Sequence, residues 1–216
     1  MTKKERYARV IGWFEANAES AETELHYRNP YQLLVAVILS AQCTDKRVNT
    51  VTPKLFEAFP TVETMSLAHP EDLFPYIRSV SYPNNKSKNL VGMAKKVVSD
   101  FNGQIPSDID SLLTIPGVGR KTANVMLAVA FDTPAMPVDT HVFRVSNRIG
   151  LTNNSKTPRE TEKELVKYIP KRFLSKAHHW LILHGRYVCV ARKPKCGDCG
   201  IKAWCNYYET QVPFDH

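Results

Sequence analysis

The sequence has no apolar run long enough to cross a bilayer. Its most apolar stretch, Tyr31 to Cys43, is about half of a ~20-residue span and contains Ser40 and Gln42. A buried helix is expected there instead. The opening MTKKERYARV carries charge with no apolar run behind it, so no secretory signal is visible. A soluble, intracellular protein without a membrane partner is the expectation. No segment alternates apolar and polar residues for long enough to predict a sheet. Internal repeats and low-complexity linkers are also missing, which excludes solenoid and linker-tethered architectures. Acidic residues are in deficit, 21 against 29 Lys and Arg, for a formal net charge of +8. That balance points to a polyanionic partner, with nucleic acid the first candidate.

At 216 residues and 43% hydrophobic content, the chain can form one domain or two small ones around a real core. Its apolar spacing is helical nearly throughout. Val10, Ile11, Trp13 and Phe14 begin an amphipathic segment, and Leu33 to Leu39 is apolar all round, as in the middle of a bundle. Val48, Val51, Leu55 and Phe59 follow at helical spacing, with Pro60 ending the run. Further helices are expected over 71–77, 87–102, 107–113, 120–131, 141–149, 158–166 and 177–189. Prolines 70, 83, 106, 116, 134 and 158 fall between or at the starts of these pieces, where a missing N–H is tolerated. The fold class is all-α, with a cysteine-bound C-terminal loop.

Outside residues 189–205 there is one cysteine, Cys43; the other four form Cys189-x6-Cys196-x2-Cys199-x5-Cys205. Four thiolates at short, uneven spacings read as one metal centre. Ligand count alone leaves Zn²⁺ and an iron–sulfur cluster open. The spacing leans away from zinc, because only Cys196 and Cys199 make a close pair. Disulfides are disfavoured by the odd count and the missing signal.

Ser107-Asp-Ile-Asp110 has the form of a capping box, with Ser107 as cap. It leads through Ile115-Pro-Gly-Val-Gly-Arg-Lys121 into a second helix. Gly117 and Gly119 permit φ > 0 and leave backbone amides open to a phosphate at a helix N-terminus. This is the form of a helix–hairpin–helix, which grips DNA by its backbone; a plain helical turn capped by glycines is the alternative. Lys121 sits in the first helical turn beside Arg120, where the macrodipole opposes a further positive charge and favours the neutral, nucleophilic amine. A plain phosphate contact is the simpler role from position alone. Asp139, in Val138-Asp-Thr-His141, is by itself the N-cap of a helix starting near Thr140. It can equally be a carboxylate that activates a nucleophile or stabilises positive charge on a sugar.

Together, the Ile115–Lys121 hairpin, the Val138–His141 segment and the four-cysteine loop resemble the endonuclease III family of DNA glycosylases. Leu39-Ser-Ala-Gln-Cys-Thr-Asp45 and His178-His-Trp-Leu-Ile-Leu-His-Gly-Arg186 extend the resemblance over nearly the whole chain. It implies two helical domains with a DNA cleft between them. Residues 23–134 would be a six-helix barrel with the helix–hairpin–helix at 107–131. Residues 1–22 and 135–216 would carry a [4Fe–4S] cluster in the loop 189–205, ligated by Cys189, Cys196, Cys199 and Cys205. Cys43 matches no ligand position and is expected to be a packed thiol on a buried helix.

The implied activity is base-excision removal of oxidised pyrimidines from double-stranded DNA, with strand cutting at abasic sites by β-elimination. Lys121 would be the Schiff-base nucleophile and Asp139 the supporting carboxylate. Gln42 would fill the gap left by the extruded nucleotide. Gly117, Gly119 and Arg120, with Arg186, Arg192, Lys193 and Lys195 near the cluster, would meet DNA. Asp45 and His141 match positions near the cleft. A monomer working in the cytoplasm, at the nucleoid in a prokaryote, is implied.

One stretch departs from the family pattern. In Val80-Ser-Tyr-Pro-Asn-Asn-Lys86, Ser81 takes a place that is glycine in many relatives, and Tyr82 is the candidate wedge into the base stack. Mismatch glycosylases of the same superfamily are the nearest rivals, and they lack the hairpin lysine. A non-catalytic DNA-binding or redox-sensing protein would need neither Lys121 nor Asp139.

Overall fold

In a computed structural model, which describes residues 1–18 and 22–211, every extended regular element is a helix. The chain divides into two compact units, Met1–Thr23 with Thr133–His216, and Glu24–Asp132. No described helix is long and apolar enough to cross a membrane.

The Glu24–Asp132 unit is organised around α2 (Pro30–Ser40), in which every residue from Leu33 to Leu39 is buried. Asn29 caps it by accepting from the Gln32 N–H at 2.9 Å, and Pro30 fills the first turn without wasting a donor. Around it lie α3 (Asp45–Ala58), α4 (Val62–Ser66), α5 (Pro70–Ile77), α6 (Pro83–Phe101), α7 (Ile109–Leu113) and α8 (Arg120–Ala130). An all-apolar helix has no face to give to water, so it takes the centre and the amphipathic helices pack on it. The long α6 starts at Pro83 rather than near Ser87, because proline is suited to the first turn of a helix and Tyr82 turns the chain into it.

In the other unit, α1 (Lys3–Asn17), α9 (Thr140–Ile149), α10 (Pro158–Tyr168) and α11 (Leu174–Tyr187) share one core. Phe14 stacks on Trp180 with ring centroids 5.8 Å apart, and Tyr7 on Tyr168 at 5.0 Å. The buried Tyr7 hydroxyl donates to the Leu151 carbonyl at 2.7 Å; burial pushes its pKa well up. Among the described residues after α11, only a 3-10 turn (Lys202–Trp204) and the short α12 (Asn206–Gln211) are regular. The cysteine loop therefore depends on side chains for its shape.

Candidate active site and metal centre

The hairpin runs from α7 into α8. Ser107 is not its cap: Asp108 is, accepting from the Ser111 N–H at 2.8 Å. A carboxylate one residue later does the same job and suits the positive end of the helix. Ile115 and Val118 are buried and pin the turn, whose Val118 N–H bonds the Ile115 carbonyl at 3.1 Å. Gly117 has φ +81°, and a Cβ there would lie 3.0 Å from Asn89 Cβ, so glycine is required twice over. Gly119 differs from the expectation: its φ is −92°, which any residue adopts, and open space surrounds it. Its contribution is to cap α8 with no side chain, leaving the approach to the first helical turn clear. Arg120 is exposed and Lys121 half-buried in that turn.

Gln42 and Tyr82 lie in the same unit and are joined through Ser81. The Ser81 hydroxyl donates to the Gln42 carbonyl at 2.7 Å. Lys86, although buried, sends its ammonium to the carbonyls of Leu39 at 2.8 Å and Ala41 at 2.7 Å, and to the Ser81 hydroxyl at 3.3 Å. Burial lowers the Lys86 pKa. Both Gln42 (φ 53°) and Tyr82 (φ 54°) are left-handed, a conformation that costs about 1 kcal/mol or more in a non-glycine residue. Tyr82 is 62% exposed, and Gln42 is exposed too. Two strained, outward-facing side chains are thus held on one clamped backbone. Neither Lys86 nor this Ser81 bond was found by sequence reasoning; a lysine four residues into a helix carries no sign of burial. Cys43 lies in the turn after α2, half-buried, and not on the helix as expected. Asp45 opens α3.

In the other unit, Asp139 caps α9 by accepting from the N–H groups of His141 at 2.9 Å and Val142 at 2.8 Å, both through Oδ1. No bond to Oδ2 is part of the cap, so the second oxygen is not needed for it. His141 Nδ1 is 3.3 Å from Arg144 Nη2. Arg186 is half-buried near the end of α11, whereas Arg192, Lys193 and Lys195 are exposed in the cysteine loop, Lys193 with φ 53°.

The four thiols are free and line the walls of one pocket, together with Ile149, Val188, Ile201 and Tyr208. No three His, Cys, Asp or Glu side chains among the described residues gather closely enough for a single metal ion. Burial pushes the pKa of Cys196, Cys199 and Cys205 up, and the neighbouring thiols push them further. Four thiolates around an apolar pocket need a cationic centre to offset that repulsion. A multi-iron cluster fits this donor set.

Side chains other than the four thiols hold the loop in place. Arg148 donates to the carbonyls of Val190 at 2.8 Å and Ala191 at 2.9 Å, approaches Cys189 Sγ at 3.6 Å, and lies over the Tyr207 ring at 4.8 Å. Arg144 donates to the carbonyls of Gly185 at 2.9 Å and Cys189 at 3.2 Å. His184, its pKa pushed down to about 4 by burial, places Nε2 at 3.6 Å from Cys199 Sγ. Sequence reasoning missed all three as loop-shaping residues, since arginines on a helix read as a solvated face.

Residues 35–171 match the HhH-GPD superfamily of base excision DNA repair proteins, and residues 189–205 match the iron–sulfur binding domain of endonuclease III. Endonuclease III of Rickettsia conorii is 50% identical over 200 residues, covering 93% of this chain and 95% of that protein. Endonuclease III of Escherichia coli K12 is 41% identical over 206 residues, covering 95% and 97%. A solved trapped endonuclease III–DNA covalent intermediate superposes with a TM-score of 0.90 at 41% identity, covering 99% of this chain and all of that one. The chain belongs to the endonuclease III family of HhH-GPD base excision repair proteins.

Proposed function

We infer that the protein is a DNA glycosylase that removes oxidised pyrimidines from duplex DNA and then cuts the strand as an abasic-site lyase. Its cofactor is a [4Fe–4S] cluster, for which the reading assigns Cys189, Cys196, Cys199 and Cys205 as ligands. The bound cluster would supply structural cross-linking of the loop, presenting Arg192, Lys193 and Lys195 to phosphates. The observation that carries the reading is Lys121, placed one residue into the helix that leaves an uncapped hairpin, in a chain of this family.

The chemistry assigned to these residues begins with a damaged nucleotide turned out of the stack. Exposed Gln42 and Tyr82 are suited to occupy the space it leaves, with Tyr82 able to stack on a neighbouring base. The amide-rich turn at Gly117 and Gly119, with Arg120, would hold the strand by its phosphates. The neutral Lys121 amine attacks sugar C1′. The glycosidic C1′–N bond breaks and the base leaves with the bonding pair. The attacking nitrogen gives up a proton, and the sugar's C1′–O4′ bond then opens, O4′ leaving with its pair and taking a proton, so that C1′ and the lysine nitrogen form an imine. The resulting imine makes the C2′ proton acidic; its loss sends an electron pair to C3′ and expels the 3′ phosphate. The Asp139 carboxylate would stabilise the positive charge that develops on the sugar, one oxygen capping α9 while the charge serves the reaction. Asp45 and His141 are assigned to the surroundings of this site, and Arg186 to a phosphate. The substrate being chromosomal, the expected place of work is the cytoplasm.

Borohydride reduction of the imine tests this. Wild-type protein should be trapped covalently on thymine-glycol or abasic duplex, whereas Lys121→Gln should lose trapping and strand cutting and keep DNA affinity within about tenfold. Asp139→Asn keeps the cap's shape and should bind normally yet excise at least about a hundredfold more slowly. Wild-type trapping in the Lys121 variant would move the amine elsewhere and overturn the mechanism.

A further inference from the structure

A second pocket, a cavity of about 660 Å³, lies in the unit formed by the chain's two ends and is lined by Lys3, Arg6, Arg148, Asn153, Asn206 and Tyr207 among others. None of the described residues that line it is acidic. Lys3 is already neutralised by its ion pair with Glu164, which does not itself line the pocket. Arg148 spends its guanidinium on two carbonyls of the cysteine loop and on the Tyr207 ring.

Arg6 is the cation left over. It is only 8% exposed, and its Nε donates to the Trp204 carbonyl at 2.9 Å. Its two terminal nitrogens have no hydrogen-bond partner, and no carboxylate pairs with it, among the described residues. Neither terminal nitrogen is fully buried, so the fork stands solvated at the pocket rather than sealed in the core. No acidic residue closes the pocket in front of it. Gly150, left-handed at φ +86° after α9, is where the Arg6 and Asn206 side chains pack against the backbone. A Cβ there would sit 3.0 Å from Arg6 Nη1 and 2.3 Å from Asn206 Nδ2, so only glycine lets the two donor groups lie this close to each other at the pocket.

We propose that this pocket binds the phosphate group of a small soluble molecule, gripped by the Arg6 fork with the Asn206 amide beside it. Guanidinium presents parallel N–H donors that match two oxygens of a phosphate, and a cavity of this size suits a small ligand rather than a single ion. The same phosphate chemistry is available from the DNA backbone, so the test separates the two sources.

Calorimetric titration of the iron-loaded protein with inorganic pyrophosphate, at constant ionic strength, should show one saturable site. Arg6→Met keeps the apolar stem and should weaken that binding at least tenfold, while duplex affinity and its salt dependence stay as in wild type. If Arg6→Met loses helicity, Asn206→Asp serves instead. Its carboxylate would pair with Arg6 in place, and pyrophosphate binding should vanish from a folded protein. Pyrophosphate binding of wild-type strength in a folded variant overturns the proposal, as does no binding to wild type together with an unchanged duplex salt slope in Asn206→Asp. No pyrophosphate binding, but a duplex slope flattened by about one unit in that variant, would assign the phosphate to DNA and overturn the small-molecule source.

Discussion

Each unit of this protein closes a functional loop with a cation, and the two closures differ in what completes them. In the Glu24–Asp132 unit, buried Lys86 ties the Ser81–Tyr82 turn to the end of α2 through the carbonyls of Leu39 and Ala41. In the other unit, Arg148 ties α9 to the cysteine loop through the carbonyls of Val190 and Ala191. Both use carbonyls as acceptors, and among the described residues no carboxylate pairs with either cation. A carboxylate partner would cancel the charge and repel phosphate, whereas a dipole partner leaves the positive field standing. The difference is that Lys86 finds all its acceptors within the chain. Arg148 also approaches Sγ of Cys189, one of the thiols assigned to the cluster, so on that assignment its loop would be completed by the bound cofactor.

Removing one thiolate should therefore separate the two loops most sharply. Cys199→Ser is expected to purify without the broad absorption near 400 nm and the roughly four irons of a [4Fe–4S] protein. Loss of loop order should remove Arg192, Lys193 and Lys195 together, flattening the log K against log salt slope for duplex DNA by nearly three units. Hydrogen exchange of α2 and α8 should be unchanged, since no cysteine of the loop belongs to their unit. A colourless wild-type protein holding one zinc would overturn the cluster assignment.

Arg148→Met and Lys86→Met then compare the clamps themselves. Each leaves carbonyls without a donor, at a cost of about 1–3 kcal/mol, or roughly 2–12 °C of melting temperature for a chain of this length. Only Arg148→Met should speed iron loss to a chelator. Only Lys86→Met should weaken binding to lesion-containing duplex more than to undamaged duplex, because it frees the backbone that carries Gln42 and Tyr82. The same response in both variants would remove the distinction between a self-contained loop and one completed by its cofactor.

How far the sequence disclosed these features follows from the range of the forces involved. The α2 core, the α8 helix and the Asp139 cap rest on spacing within a few residues, and each lies where apolar period and capping chemistry put it. The four cysteines that line one pocket could be singled out because candidate metal ligands are particular residue types. The cap at Asp108 rather than Ser107 shows the limit: two good capping residues side by side differ by less than local geometry does. Lys86, Arg144 and Arg148 were illegible for another reason. Their acceptors are backbone carbonyls as many as 47 residues away, and a carbonyl has no residue type to read.

The smallest expected effect concerns single cations of the cysteine loop, and it tests whether they act through charge alone. Lys195 is exposed, and Lys195→Ala should flatten the duplex salt slope by about one unit, because one phosphate-bound cation releases about one counterion. Lys193 needs a different substitution. Its φ of 53° is left-handed, so alanine there would add backbone strain to the loss of charge. Asparagine tolerates that conformation, which makes Lys193→Asn the cleaner removal of charge. Both variants should keep the cluster's colour and weaken binding to damaged and undamaged duplex alike. If Lys193→Asn changed affinity only for lesion-containing DNA, the loop would be reading the lesion rather than the backbone. The electrostatic role assigned to it, and the contrast with the Lys86 clamp, would then both fail.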